Sequence, residues 1–258
     1  MAISTALTLQ AVFQLALRQT EGPIASILQL LSLDLAVPDH STLSRRAEAL
    51  EVPRSISRTG PIHLLVGSTG VRLRGSSEWL IEKHGTRRRQ SWRKLHIGLD
   101  ASTGRTLASE LTPHDVEDGS QVTPLLGQIS GPLASLTGDG AYDQESIYAT
   151  VAQRHPDADV IIPPRSTAVP RKTVENAPTQ RNWHLQSIAE HGRMGWQKRS
   201  GYTRQALVET AISRLKRVIG DALRSRTNRR RGTEIAIGGQ TLNRMLEFGS
   251  RSPSASLK

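Results

Sequence analysis

The stretch Leu133-Ala134-Ser135-Leu136-Thr137-Gly138-Asp139-Gly140 sets the fold class of this sequence. Its apolar residues predict a buried strand over 133–137. The carboxylate of Asp139 would then lie at the carboxyl end of that strand, where α/β proteins place their ligands. The flanking glycines leave room for a metal or a bulky group. A plain turn is the alternative reading, because Gly-Asp-Gly is also favourable turn chemistry.

Further short apolar runs lie on both sides of this stretch, with a turn between each run and the next. Two of them flank the turn 100–104 and predict an antiparallel hairpin, whereas the later ones alternate with helical segments and predict βαβ pairing. We therefore expect an α/β fold with a mixed sheet and flanking helices. The expected strands are 63–66, 94–99, 106–111, 133–137 and 160–162, and the expected helices are 118–129 and 143–153.

Residues 3–51 have the apolar spacing of helices. Gly22-Pro23 and Pro38-Asp39 interrupt that spacing, so three helices are expected, the last over 43–50. Three helices ending in a short basic one favour a small all-α, helix-turn-helix-like DNA-binding region over 1–55, because the last helix of that motif lies in the major groove. A helical packing region is the alternative.

The last of these helices carries Arg45 and Arg46 on its outer face, and Ser41 or Thr42 can cap its first turn. We expect both arginines to contact DNA.

The C-terminal half is less regular than the first half. Residues 163–200 are rich in proline and basic residues without a clear period, which predicts an extended insertion or linker within a second domain over 56–249. Helical spacing returns over 202–219, and the Ser-rich residues 250–258 predict a disordered tail. The expected apolar face of the 202–219 helix consists of Leu207, Ala211, Leu215 and Val218.

Composition narrows the function. The chain has 258 residues, with 34 Lys and Arg against 23 Asp and Glu and a net charge of +11, so the expected partner is a polyanion, nucleic acid first. The absence of cysteine excludes disulfide scaffolds, zinc ribbons and thiol nucleophiles. The sequence has neither an apolar run of roughly 18 residues nor a basic signal segment, so we expect no membrane partner and a cytoplasmic location.

Most of the positive charge lies in two segments. Residues 193–231 hold twelve Lys and Arg against Glu209 and Asp221, and residues 82–94 hold six against Glu82. Two such segments in one chain indicate directed contact with phosphate, although each alone could be a solvated loop.

One acid, Glu209, lies among the basic residues of the helix expected over 202–219. At about 100° per residue it shares a face with Tyr202, Gln205 and Lys216. An exposed acid there weakens polyanion binding, so it either pairs with Lys216 or Arg204 or binds a divalent cation beside the phosphate.

Several motifs together, in order and spacing, resemble bacterial insertion-sequence transposases of the insertion-sequence-five group. The resemblance covers residues from about 7 to 249. The motifs are Pro38-Asp39-His40-Ser41-Thr42-Leu43-Ser44-Arg45-Arg46, Ser68-Thr69-Gly70, Trp92-Arg93-Lys94-Leu95-His96, Gly138-Asp139-Gly140-Ala141-Tyr142-Asp143, Ile161-Ile162-Pro163-Pro164-Arg165, and Tyr202 through Glu209 to Lys216.

That resemblance implies an RNase H-like catalytic domain in which three acids hold two Mg²⁺ or Mn²⁺ ions for the cleavage and transfer of DNA strands. By position, Asp139 is the second acid and Glu209 the third, and both are the implied metal ligands. The implied partners are double-stranded DNA, at the terminal repeats of the element and at the target, and further copies of the chain on that DNA in the nucleoid. The residues expected to contact DNA are Arg45, Arg46, Arg93, Lys94, Tyr202, Arg204 and Lys216.

The chain departs from the family pattern at the first acid. The family has Asp-Ser-Thr-Gly there, whereas this sequence has Gly67 before Ser-Thr-Gly, 72 residues before Asp139. Glycine offers no ligand, so an impaired two-metal site is expected, with Glu78 and Asp100 the nearest acids that could substitute. Gln205 also replaces a family arginine. Family members carry more sequence before the stretch that matches residue 7, so a degenerate, N-terminally shortened copy is expected.

Three functions fit these observations. The chain is a transposase, a transposase-derived DNA-binding protein without nuclease activity, or a basic RNA-binding or ribosome-associated protein. Only 9 of 258 residues are aromatic, which argues against the stacking of single strands.

Overall fold

The computed structural model describes residues 2–53, 60–74, 92–169, 179–220 and 222–249. Short 3₁₀ helices occupy Gly119–Gln121, Gly140–Tyr142 and Tyr202–Gln205. The strands are β1 (Ile62–Leu73), β2 (Trp92–Asp100), β3 (Thr106–Pro113), β4 (Leu133–Thr137), β5 (Asp159–Ile161) and β6 (Ala222–Leu223). The α-helices are α1 (Ala2–Val12), α2 (Leu17–Leu30), α3 (His40–Ala49), α4 (Val122–Leu126), α5 (Glu145–Arg154), α6 (Gln180–Ser200), α7 (Ala206–Ile219) and α8 (Asn228–Gly249).

The strands form one sheet in the order β3-β2-β1-β4-β5, and β6 pairs with the far end of β1. β1 is parallel to β4 and to β6, and β4 is parallel to β5. β2 and β3 are joined by a tight turn in which the Gly104 N–H donates to the Asp100 carbonyl, a connection that only antiparallel strands can use. The expected α/β fold, a mixed sheet with flanking helices, is confirmed, and its assignment as RNase H-like stays a prediction.

The central strands are continuously apolar because parallel strands covered on both faces have no solvent side. Leu64, Leu65 and Val66 of β1 are all buried, as is Leu136 of β4. A core of apolar side chains from these strands, α4 and α5 holds this part of the chain together.

The chain divides into two compact units. Unit 1 comprises the described residues of Met1–Arg54, Gly70–Arg93 and Ser213–Lys258, and unit 2 comprises those of Ser55–Thr69 and Lys94–Ile212. Unit 1 has its own apolar core, in which Leu7 and Leu43 from the N-terminal helices lie with Ile237 of α8. The N-terminal helical region therefore shares a core with the C-terminal helix.

Two expectations for the N-terminal helices are wrong in detail. α2 runs through Pro23, and the interruption falls earlier, near Gln14, whose φ is 52°. Thr20 and Ile24 are buried on either side of Pro23, and their packing holds the helix through the proline. Asp39 caps α3, instead of Ser41 or Thr42, and its Oδ1 accepts the N–H of both residues, at 2.7 and 2.8 Å.

The expectation of an extended segment is wrong for residues 180–200, which form α6. Gly192 breaks the helical backbone at φ 69° and ψ 167°, and this kink removes the regular period that a sequence pattern would need. Asp118, at the start of the helix predicted over 118–129, makes no side-chain cap bond and lies against Lys94 and His96. Residues 250–258, with their expected tail, lie outside the described residues. No helix within the described ranges is long and apolar enough to cross a membrane.

Candidate active site and nucleic-acid interface

The parallel register of β1 and β4 places positions 67 and 139 at the same edge of the sheet. Leu65 pairs with Thr137, and both positions lie two residues beyond that pair. A β-carbon on Gly138 would come 3.1 Å from Cγ2 of Val66, so the chain after β4 stays against β1.

Asp139 is exposed at this edge. Its Oδ1 accepts the N–H of Ala141 at 2.8 Å, which caps the 3₁₀ turn that follows β4. Its other carboxylate oxygen has no hydrogen-bond partner within the described residues. Gly-Asp-Gly thus forms the turn of the alternative reading, and ligand binding by Asp139 stays a prediction.

A buried ion pair supports the loop that carries Asp139. The Asp143 side chain is 1% exposed and accepts two hydrogen bonds from Arg181, at 2.7 and 2.9 Å, and one from the Arg165 N–H at 3.1 Å. Burial alone would raise the pKa of Asp143, but the Arg181 hydrogen bonds and charge and the Arg165 N–H outweigh it and lower the pKa.

Glu209 is exposed on α7, and no ion pair of its carboxylate is found within the described ranges. Its neighbour Val208 is 3% exposed, whereas Leu207 is 40% exposed. The expected apolar face is therefore wrong at Leu207. Residues 202–205 form a 3₁₀ helix, whose tighter turn shifts the spacing expected for one continuous α-helix.

Val208 lies against Gly67. A β-carbon on Gly67 would come 2.5 Å from Cγ1 of Val208 and 4.0 Å from Nε2 of Gln205. Gln205 donates to the Val66 carbonyl at 2.7 Å, so the side chain at the family's arginine position holds the strand beside the missing acid. Glycine thus allows this helix to pack closely on β1.

The hydroxyl of Tyr202 is affected by both of the predicted site acids, Asp139 and Glu209. Burial raises the pKa of its hydroxyl, and the charges of Asp139 and Glu209 raise it further, while Arg193 opposes them. Both carboxylates therefore act on one hydroxyl, although they are 70 residues apart in the chain. The structure therefore places Asp139 and Glu209 each within electrostatic range of Tyr202.

The ring of Tyr202 packs on the buried Trp196, with centroids 5.2 Å apart. Trp196 Nε1 donates to His184 Nδ1 at 3.0 Å, so His184 Nε2 carries the proton and donates to the Val160 carbonyl at 2.7 Å. This chain of contacts fixes Tyr202 to β5.

The residues do not fit a two-metal centre. Among the described residues, no group of three or more His, Cys, Asp or Glu side chains could hold a metal ion. Asp139 and Glu209 supply two carboxylates, but Gly67 supplies none and Val208 fills the adjoining space. Asp100, a possible substitute acid, is buried, and its carboxylate accepts bonds from Ser102 and Thr103 in its own turn. Glu78 lies outside the described residues.

The two basic segments meet in unit 1. Arg93 lowers the pKa of Arg231, after the larger effect of burial, and Arg74 lowers that of Arg224 in the same way. Like charges approach here from the residue that follows β1, from β2, from the residue that follows β6 and from α8. Most of the segment 82–94 lies outside the described residues.

The other residues expected to contact DNA differ in their exposure and in the contacts that their side chains already make. Arg45, Arg46 and Arg204 are exposed, and Lys216 is half-buried. Lys94 has its ammonium turned inward, where it donates to the Val116 carbonyl at 2.8 Å and lies 3.4 Å from Asp118. Contact of these residues with DNA stays a prediction.

Sequence reasoning missed three elements of this site: the Val208 contact, the Trp196–His184 support and the Asp143–Arg181 pair. The kink in α6 interrupts the helical spacing before Trp196, so the sequence pattern did not predict its position. Asp143 and Arg181 are 38 residues apart, and no local pattern indicates that they pair. One of these elements had a sign in the sequence. Val208 can replace Leu207 on the apolar face of α7, and that helix orientation predicts the Val208 contact.

Two family models match the chain, and both describe a transposase DDE domain. One matches residues 58–246 and the other residues 1–76. The longer match covers both Asp139 and Glu209.

One solved structure similar to this chain is a cryo-EM structure of a piggyBac transposase synaptic complex with hairpin DNA. The two are 11% identical, with a TM-score of 0.40, and the match covers 76% of this chain and 50% of the other. The chain thus spans about half the length of that protein.

Proposed function

We propose that this chain, which belongs to the family of transposase DDE domain proteins, is a DNA transposase of a bacterial insertion sequence of the insertion-sequence-five group. The observation that carries the proposal is the match to a transposase DDE domain over residues 58–246, which includes Asp139 at the carboxyl edge of the sheet and Glu209 on α7. The proposed reaction is the cleavage and transfer of DNA strands. Asp139 and Glu209 could together hold one Mg²⁺ or Mn²⁺ ion, which would supply charge neutralisation at the phosphate, whereas Gly67 gives no ligand for a second ion.

The chain's own residues have separate roles in this proposal. Asp139 and Glu209 supply carboxylate oxygens, the ligand type that hard divalent cations prefer. Asp143 and Arg181 position the Asp139 loop, and Trp196 positions Tyr202. Arg45, Arg46 and Arg204 provide exposed positive charge for the phosphates of duplex DNA.

A second candidate function is DNA binding without cleavage. Gly67 in contact with Val208 favours it, because the place of one metal ligand is filled by an apolar side chain. Such a protein would occupy the ends of the element, or block an active copy, without cutting. We propose in either case that it acts on DNA in the bacterial nucleoid and assembles as a homo-oligomer there.

The deciding experiment measures cleavage and DNA binding together. Duplex DNA carrying the ends of the element is incubated with Mn²⁺ and the wild-type chain, Glu209→Gln or Asp157→Asn. Asp157 is an exposed acid outside the site and serves as the control. Cleavage by wild type and Asp157→Asn, lost in Glu209→Gln, supports the transposase. Binding by all three without any cleavage supports the second function.

A further inference from the structure

A cavity of about 610 Å³ lies within unit 1, beside the N-terminal helices and the start of α8. Its floor is apolar and includes Leu7, Leu17 and Ile237. Its charged lining is formed by Arg18, Arg74, Arg224, Arg226 and Arg230, and Glu234 is the one acid among the described residues that line it.

Arg230 and Glu234 are already engaged within the protein. Arg230 donates to the Glu48 carboxylate at 2.9 Å and to the Ser44 hydroxyl at 2.9 Å. The two carboxylate oxygens of Glu234 accept backbone N–H groups, from Arg224 at 3.0 Å and from Ser225 at 2.9 Å. Neither residue is free to neutralise the remaining arginines by direct contact.

The remaining arginines carry an excess of positive charge. Arg224 donates through its guanidinium to the Gln14 carbonyl, a neutral acceptor. Burial lowers its pKa and the neighbouring charge of Arg74 lowers it further, while the single negative charge of Glu234 opposes both. No ion pair of Arg74, Arg224 or Arg226 is found in the part of the chain that the structure describes. Like charges held together in this way cost stability until an anion joins them.

We infer that this cavity binds a phosphate group of the DNA backbone through Arg74, Arg224 and Arg226. The guanidinium fork matches the geometry of phosphate oxygens. α8, which has 22 residues, begins beside the cavity and adds the partial positive charge of its N-terminal end. The inference rests on the proposed function, because DNA supplies the phosphate.

The size and floor of the cavity favour a nucleic acid strand over a free anion. A single phosphate does not fill about 610 Å³. The apolar floor offers space for the deoxyribose that joins one phosphate to the next.

The test compares wild type with Arg74→Gln/Arg226→Gln on a duplex of random sequence. Affinity is measured by fluorescence anisotropy over a range of salt concentrations. Because the cavity is inferred to neutralise one phosphate, loss of that phosphate contact in the double variant should reduce the slope of log affinity against log salt by about 0.9. It should also weaken binding by about tenfold. Arg154→Gln, an exposed arginine of α5, is the matched control and should behave like wild type.

Thermal unfolding separates a defect in binding from a defect in folding. The double variant removes like charge near Arg224, so its Tm without DNA should not fall below that of wild type. Equal affinities and salt slopes in wild type and the double variant would overturn the inference. A difference in affinity between wild type and the double variant that is seen only with structured RNA would overturn the inference as well. So would a rise in the Tm of wild type with sodium phosphate but not with DNA. The proposed function fails separately, if wild type neither cleaves nor transfers DNA while these slopes still differ.

Discussion

Val208 fills the space beside position 67, where its Cγ1 would lie 2.5 Å from a β-carbon built on Gly67. Because Val208 directly precedes Glu209, one contact both fills the space at the position predicted for the first acid and sets the helix that carries the predicted third acid. Glycine at position 67 is therefore part of the packing of α7 on β1.

Gly67→Asp alone should not restore a metal site. The aspartate must displace Val208, and overpacking of this kind should lower the free energy of unfolding by about 1–3 kcal/mol. Isothermal titration calorimetry with Mn²⁺ should show no gain in affinity over wild type, and denaturant unfolding measures the loss in stability.

Gly67→Asp/Val208→Ala is the matched repair, because alanine removes the clashing methyl groups. Its loss in stability should be smaller than the sum of the two single losses by about 1 kcal/mol or more, and it should gain Mn²⁺ affinity. A stable Gly67→Asp protein that binds Mn²⁺ without the second change would contradict the contact.

The pKa of Tyr202 should report the two carboxylates. Burial and the charges of Asp139 and Glu209 raise it, so Asp139→Asn or Glu209→Gln should lower it toward the ordinary value of 10.0. Arg193→Gln should raise it, because Arg193 opposes the carboxylates. Ultraviolet absorbance of tyrosinate measures the titration. Burial raises the pKa of Tyr142 and Tyr148, so these two tyrosines ionise at higher pH and the signal of Tyr202 can be told apart from theirs. An unchanged Tyr202 titration in both acid variants would show that the carboxylates do not share this site.

Asp143 should make stability depend on pH in the acid range. Its folded pKa lies below the ordinary value of 3.8, so its ion pair contributes fully above about pH 4 and is lost as the pH falls through the folded pKa. Asp143→Asn should lack this part of the acid dependence of the unfolding free energy. Asp143→Ala leaves Arg181 without its partner and should cost about 3 kcal/mol at neutral pH. Parallel acid dependence in wild type and Asp143→Asn would refute this role.

Two glycines of α8 should respond to alanine in opposite directions. A β-carbon on Gly238 would come 2.5 Å from Cγ2 of Ile219 and 2.9 Å from Cδ1 of Leu215. Gly238→Ala should therefore lower the free energy of unfolding by about 1–3 kcal/mol. Gly232 has nothing within 4 Å of such an atom, so Gly232→Ala should raise it by about 0.5–1 kcal/mol. Thermal and denaturant unfolding measure both, and a stabilised Gly238→Ala would contradict the close packing of α8.

The sheet could be predicted from the sequence because its strands are short apolar runs with turns between them. The strand predicted over 133–137 has the same bounds in the structure, and its Asp139 reaches the expected edge. The local sequence pattern is enough to predict a strand that is buried on both faces, because such a strand consists almost entirely of apolar residues.

Contacts between distant residues could not be predicted in the same way. The pairs Gly67 with Val208 and Val66 with Gln205 join positions about 140 residues apart, and nothing in the local pattern marks them. α6 escaped prediction because its kink at Gly192 interrupts the helical period. At Pro23 the sequence predicted a helix end that the structure does not have, since the packing of Thr20 and Ile24 outweighs the local effect of the proline.

The core of unit 1 joins Leu7 and Leu43 to Ile237, so it cannot be completed until the chain has been synthesised through α8. Unit 2 draws only on residues up to Ile212 and can begin to fold while translation continues. The N-terminal helices, in contrast, must wait with their apolar faces uncovered until α8 has been made. A premature stop codon before α8 would therefore deprive the beginning of the protein of its packing partner.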